Sequence, residues 1–415
     1  MKSKVKYLLG ASMIFLLAGC AGSPSKEPYD ASSKGESSYA DYYEPRTTDS
    51  SGKADGSTSN DVQNNQGSQA NLPRSGQLTC STTDDNSNYT YWKDLISYRN
   101  STNNDFPRYA SEYAFKTSNR LELNVINGNN VKVTIKNTQM QAYADNFHKA
   151  YLFPEQRQDN YDVEISYTDA ANQNCTIEKN VRDGDIIDLE QTFTTSSNLQ
   201  VMFVIDATGS MGDEILYLQA EIDDIITKVK DANQTANIEL SIMMYRDKSD
   251  EYLIRYSDFT TDVEYQKNFL AEQKAQGGGD FEEAVDEALA AAIEKQWAPN
   301  ATKLLFHVAD APAHDKDVRA WNTTVHNAAA NGIKIFSVGC SGISKKTEYF
   351  FRSQSIITGG QYIFLTDNSH IGGSHVVADT EHSITVEYLN SCLIRLINGY
   401  FKGVMTNPVP YYSDN

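Results

Sequence analysis

Two kinds of hydrophobic spacing divide the chain. Between residues 76 and 197 apolar positions alternate with polar ones, as in Leu121-Glu122-Leu123-Asn124-Val125 and Val131-Lys132-Val133-Thr134-Ile135. A period of two sets one strand face against a core, and Asn127-Gly128 between the runs is a turn signal. The pattern predicts a hairpin with a loop longer than two residues. Asp162 to Tyr167 and Cys175 to Ile177 predict a second antiparallel pair, and Val181 to Leu189 a further strand after a turn at Asp183-Gly184. A small antiparallel sandwich follows, and both ligand binding and mere spacing fit it.

From Leu199 the pattern changes. Val201 to Ile205 is continuously apolar, as in a strand covered on both faces. Ile215, Leu218, Ile222, Ile225, Ile226 and Val229 then fall on one helical face. The alternation repeats with strands at Ile238–Met244, Leu304–Val308, Ile333–Val338 and Tyr362–Leu365. Helices are predicted at Val263–Lys274, Glu282–Lys295, Val318–Ala330, Thr347–Ile356 and Ile384–Tyr400, and Tyr252–Tyr256 reads as an antiparallel edge strand. The predicted fold class is α/β, a doubly wound, mostly parallel sheet of about six strands over residues 198–403, preceded by the small antiparallel β domain of 76–197. Residues 404–415 read as a tail.

The front end reads as an address. Lys2, Lys4 and Lys6 precede an apolar stretch from Tyr7 to Ala18, too short to cross a bilayer as a helix. It closes on Leu17-Ala18-Gly19-Cys20, which resembles the lipobox of bacterial lipoproteins. That resemblance implies cleavage of residues 1–19, lipidation of Cys20 and anchoring by several acyl chains. Ala21 follows the cysteine, and with no Asp there to mark inner-membrane retention, the outer membrane is the expected address in a two-membrane cell. Residues 20–75 hold Val62 and Leu72 as their only aliphatics larger than alanine, so they read as a disordered tether.

Charge narrows the partners. The 415 residues carry 36 basic and 55 acidic side chains, a net charge of −19. Losing the three lysines of residues 1–19 would make it −19 − 3 = −22. Such a chain repels nucleic acid, and no nucleic-acid partner is expected.

Directly after the first buried strand comes Asp206-Ala207-Thr208-Gly209-Ser210. It resembles the metal-ion-dependent adhesion site of von Willebrand factor A domains, whose pattern is Asp-x-Ser-x-Ser, with Thr208 keeping a hydroxyl at the first Ser position. The resemblance implies one divalent cation, Mg²⁺ or Ca²⁺, bound also by an Asp after the fourth strand, which Asp310 supplies. It implies a Thr in the second loop as well. There Gly277-Gly278-Gly279-Asp280 puts Asp280 in the Thr position, either as a direct ligand or behind it, bonded to a metal-bound water or capping the next helix. The donor types suit hard cations. Tyr245-Arg246-Asp247, Gly277 to Asp280 and Asp310-Ala311-Pro312-Ala313-His314 look like a branch associated with alpha-kinases. No phosphate-cradling loop with its lysine appears, so no kinase is assigned. Asp247 and His314 are candidates for a supporting role behind the ligands, with an Arg246 ion pair and a solvated histidine as the plainer readings.

Four cysteines besides Cys20 allow three pairings in an oxidising compartment. Cys80 and Cys175 bracket the β domain and are the expected disulfide. The pairing of Cys340 with Cys392 stays open, free thiols being favoured. The functional expectation is a lipid-anchored envelope protein without enzymatic activity, holding a protein or an extracellular polymer through the cation. A scaffold with a purely structural metal and a metal-assisted hydrolase are the alternatives.

Overall fold

Val201 to Ile205 lie at the centre of the largest sheet, with parallel neighbours on both sides and no exposed face, which is why the run needs no polar alternation. The computed structural model describes residues 73–97, 105–380 and 383–412. The lipobox, Cys20 and nearly all of the expected tether lie outside them. The chain enters on β1 (Thr79–Thr83) and passes two short helices, α1 (Tyr89–Leu95) and α2 (Phe106–Glu112). Seven strands follow: β2 (Leu121–Ile126), β3 (Asn129–Ile135), β4 (Gln141–Tyr143), β5 (Lys149–Leu152), β6 (Tyr161–Thr168), β7 (Asn174–Val181) and β8 (Ile186–Asp188). The alternating half begins with β9 (Asn198–Asp206), α3 (Ile215–Ala232), β10 (Asn237–Tyr245), β11 (Ile254–Thr260), α4 (Val263–Ala271) and α5 (Val285–Ile293). It ends with β12 (Thr302–Ala309), α6 (Val318–Ala330), β13 (Ile333–Gly339), α7 (Lys345–Thr358), β14 (Tyr362–Leu365), β15 (Glu387–Tyr388) and α8 (Leu389–Lys402).

The large sheet has the order β11-β10-β9-β12-β13-β14-β1-β15. Its five strands from β10 to β14 pair in parallel, and β11 closes one edge antiparallel, near where Tyr252–Tyr256 was expected. Apolar layers cover both faces, one including Met202, Val204, Trp321 and Phe350, the other Phe203, Ile222, Phe306 and Leu396. The α/β class is as expected. The smaller unit is two facing sheets, β5-β2-β8 and β4-β3-β6-β7, around Leu123, Val133, Val163 and Ile165. β2 and β3 form no hairpin ladder with each other; they lie in different sheets, and β8 pairs with β2 in parallel.

Two features depart from the expected organisation. The first strand of residues 76–197 belongs to the large sheet: β1 pairs antiparallel with β14 and with β15, so the boundary at 197/198 does not separate two independent bodies. β14 would otherwise leave an open edge of unpaired N–H and C=O groups. The same displacement separates the expected disulfide partners. Cys80 is buried in the large sheet, while Cys175 stands on β7 opposite Tyr167 in the small unit, and no disulfide joins them. Entry into β1 is fixed by Glu221 of α3, whose carboxylate accepts the amides of Gly76, Gln77 and Leu78 at 2.8, 3.0 and 3.1 Å. Among the described residues no helix is long and apolar enough to cross a membrane.

Candidate metal centre

Parallel strands in one direction deliver their carboxyl ends to one edge of the sheet, and the chemistry collects there. β9 ends on Asp206, and the chain then turns through Thr208, extended at φ −75° and ψ 168°, into a tight 3-10 turn from Gly209 to Asp213. Asp206 Oδ1 accepts the Thr208 amide at 2.9 Å and its hydroxyl at 2.7 Å. Thr208 Oγ1 lies 3.3 Å from Ser210 Oγ, and the Ser210 hydroxyl acts to lower the pKa of Asp310, which follows β12 on the neighbouring strand. Asp206, Thr208, Ser210 and Asp310 are therefore brought together.

The second loop lies across the first. Gln276 donates to the Ala207 carbonyl at 2.9 Å, and Gly209 to that of Gly277 at 3.0 Å. Gly277 and Gly278 sit at φ +88° and +79°, where side chains are strained. A Cβ on Gly278 would come within 3.3 Å of Thr208 Cβ and 3.1 Å of Glu283 Oε1, so glycine is what allows this loop to lie so close. Arg246 holds the same loops together: its guanidinium donates to the carbonyls of Ala207 at 3.1 Å and Lys274 at 2.9 Å. It forms no ion pair with Asp247.

Asp280 is exposed and gathers with Asp247 and His314, their ligand atoms lying within 4.8 Å of one another. His314 Nε2 is 3.0 Å from Asp247 Oδ1, so it is a hydrogen-bonded side chain, not a solvated one. The carboxyl that the second loop sets against Asp206 and Thr208 is Glu283. Its amide donates to the Pro312 carbonyl at 2.9 Å, and it forms an isolated bridge with Ala313, tying the second loop to the segment after Asp310. Sequence periodicity put Glu283 in the first turn of a helix; α5 starts only at Val285, which leaves Glu283 in the loop. A fourth carboxyl, Glu214, follows the first loop, fully buried, with Oε1 accepting the Ser341 amide at 2.9 Å. The sign that could have found both is an acid placed just before a helix that starts at this edge of the sheet.

Burial and mutual repulsion raise the carboxyls of this edge. Burial, and then the facing Asp310, raises Asp206 to about 7. Burial raises Asp310 to about 6 and Glu283 to about 9, the latter with help from Asp206, Asp247, Asp250 and Asp310. Asp206 Oδ2, Asp310 Oδ1, Glu283 Oε2 and Glu214 Oε2 are buried without a hydrogen-bond partner. Buried acceptors are ordinarily satisfied, because leaving one unpaired costs about 1–3 kcal/mol. Unpartnered carboxylate oxygens beside the hydroxyls of Thr208 and Ser210 suit a divalent cation of the hard, oxygen-preferring kind. Asp206, Thr208, Ser210, Asp310 and Glu283 would hold it. Bound there, it would supply a concentrated positive charge with affinity for hard oxygens on a ligand.

Glu283→Gln is expected to weaken cation affinity at least about tenfold, a loss of about 1.4 kcal/mol. Asp280→Asn should change it less than about threefold. Titration calorimetry with Ca²⁺ and Mg²⁺ distinguishes the two, and equal losses would remove Glu283 from the site.

Residues 200–367 match the family model of the von Willebrand factor A domain. The chain is 29% identical over 175 residues to the alpha-protein kinase vwkA of Dictyostelium discoideum, a match covering 41% of this chain and 28% of that protein, so it spans less than a third of that relative's length. Among solved structures, an aerotolerance-related membrane protein from Bacteroides fragilis aligns at 16% identity over 50% of this chain and 100% of that one, with a TM-score of 0.34. The conserved hypothetical protein BatB from Bacteroides thetaiotaomicron aligns at 14% identity over 40% of this chain and 89% of that one, with a TM-score of 0.32. Residues 200–367 are thus similar to a von Willebrand factor A domain.

Proposed function

We propose that the protein is a lipid-anchored binding protein of the cell envelope, in which a divalent cation at Asp206, Thr208, Ser210, Asp310 and Glu283 holds a protein or polymer partner. The observation that carries this reading is the set of buried, unpartnered carboxylate oxygens on Asp206, Asp310 and Glu283, whose charges act on one another at the carboxyl edge of the sheet. Three carboxyls around one divalent ion leave the site short of positive charge. That balance disfavours an acidic ligand and favours Ca²⁺ with a neutral or basic ligand presenting carbonyl or hydroxyl oxygens. The role is binding rather than turnover: the site is built from hard donors, and the nearby His314 is committed to Asp247. Cys20 supplies the anchor in this reading.

The test is capture of solubilised envelope proteins and polysaccharide on the immobilised full chain. Capture in 1 mM Ca²⁺ or Mg²⁺, release by chelator and loss in Asp206→Ala at unchanged far-UV circular dichroism are the expected results. Retention in chelator would leave the cation a structural role only.

A further inference from the structure

Cys80 and Cys392 come from opposite ends of the described chain and meet in one place. Cys80 is in β1 and Cys392 in the first turn of α8, both fully buried in the same apolar layer. The strand register sets Cys80 across from Glu387, and β15 continues directly into α8. The Leu389 amide donates to the Leu78 carbonyl at 2.9 Å, fastening the start of α8 beside the start of β1. Arg395 ion-pairs with Glu387, and its Nη2 lies 3.8 Å from Cys392 Sγ. Burial, and then the neighbouring Cys392 thiol, pushes the Cys80 thiol up.

We infer that Cys80 and Cys392 are the site of a disulfide that locks β1 to α8. Each Sγ–H gives up its proton, the two sulfurs together give up two electrons, and one S–S bond forms. The electrons reduce the disulfide of an exchange partner of the thiol–disulfide class to two thiols. Attack requires a thiolate, and burial disfavours that form, so the bond closes while β1 is docking and the sulfurs are still wet. Cys175 and Cys340 remain thiols: the first stands on β7 in the other unit, and the second is buried after β13. A bond closing so long a loop removes much of the freedom of the unfolded chain. It also makes the amino-terminal strand inseparable from the last helix.

The full chain, refolded with oxidised glutathione, is denatured, alkylated without reductant and digested. Mass spectrometry is expected to recover a Cys80–Cys392 linked peptide pair, with Cys175 and Cys340 alkylated. Reductant should then lower the Tm of this protein by on the order of 10 °C. It should leave Cys80→Ala, Cys392→Ala and the double variant unmoved. Alkylation of both Cys80 and Cys392 in the oxidised sample would overturn the assignment. So would a link from either to Cys175 or Cys340, or a Tm indifferent to reductant in the unsubstituted chain.

Discussion

Calcium or magnesium at about one hundred times its dissociation constant is expected to stabilise the protein by about 2.7 kcal/mol at pH 8, and by much less at pH 5. The sign follows from the carboxyl groups of the centre. Asp206, Asp310 and Glu283 have folded values raised to about 7, about 6 and about 9. In the unfolded chain such groups ionise near 4. Between those limits the cation-free fold holds more protons than the unfolded chain. The stability these groups contribute is therefore complete below about pH 4 and lost as pH rises through 6 to 9. A cation compensates the ionised forms and competes with their protons, so its effect on Tm grows with pH. Asp206→Asn keeps an acceptor for the Thr208 amide and hydroxyl while removing one charge. The variant should be more stable than the unsubstituted protein without cation at pH 8, by about 1–3 kcal/mol, and should lose the cation response. Thermal scans from pH 5 to 8 with chelator or Ca²⁺ measure both. A cation response of equal size at the two extremes would contradict the argument.

Arg352→Ala is expected to cost about 3–5 kcal/mol, the effect of breaking a fully buried ion pair from one side. Arg352 lies in α7 and grips Asp85, in the segment after β1, with two bonds of 2.6 and 2.9 Å. It also bonds Glu348 Oε1 at 3.1 Å and the Asp379 carbonyl at 3.0 Å, and its guanidinium stands 5.1 Å from the Trp92 ring centroid. Removing the cation leaves the buried Asp85 without a charged partner and takes one of the two from Glu348, which keeps Lys345, and opens a cavity beside Trp92. Asp85→Asn combined with Arg352→Met should cost less than the sum of the single changes, because each single change pays for the charge left behind. Urea denaturation of the four proteins supplies the cycle. Additive losses, or a loss under 1 kcal/mol for Arg352→Ala, would show that the pair contributes little.

The parts of the fold that could be read from the sequence were those where hydrophobic period and environment agree. Val201 to Ile205 is apolar because both faces are covered, and Leu121 to Val125 alternates because one face is. β1 could not be read this way. Its residues, Thr-Cys-Ser-Thr-Thr, carry no aliphatic alternation, yet they are almost wholly buried, their side chains satisfied by bonds such as Thr366 Oγ1 to Thr79 Oγ1 at 2.8 Å and Ser81 Oγ to the Thr385 carbonyl at 2.9 Å. A polar strand paired on both sides looks like linker in one dimension. In the candidate metal centre, Asp206, Thr208, Ser210 and Asp310 were legible because each follows a buried strand. The inward-facing carboxyl of the second loop was not. Asp280 and Glu283 stand three apart in a loop whose path depends on Gly277 and Gly278 adopting positive φ, and no periodicity reports which carboxyl turns inward.

The antiparallel seat of β1 between β14 and β15 has a mechanical consequence. Tension drawn along the strand axis from residue 76 would load the ladders on both sides in shear, many bonds at once, instead of unzipping them singly. Part of that pull would also pass through Glu221 into α3, the helix that begins just beyond Ser210. A pull at residue 76 and a shift of the loop before Ile215 would thus act on the same helix.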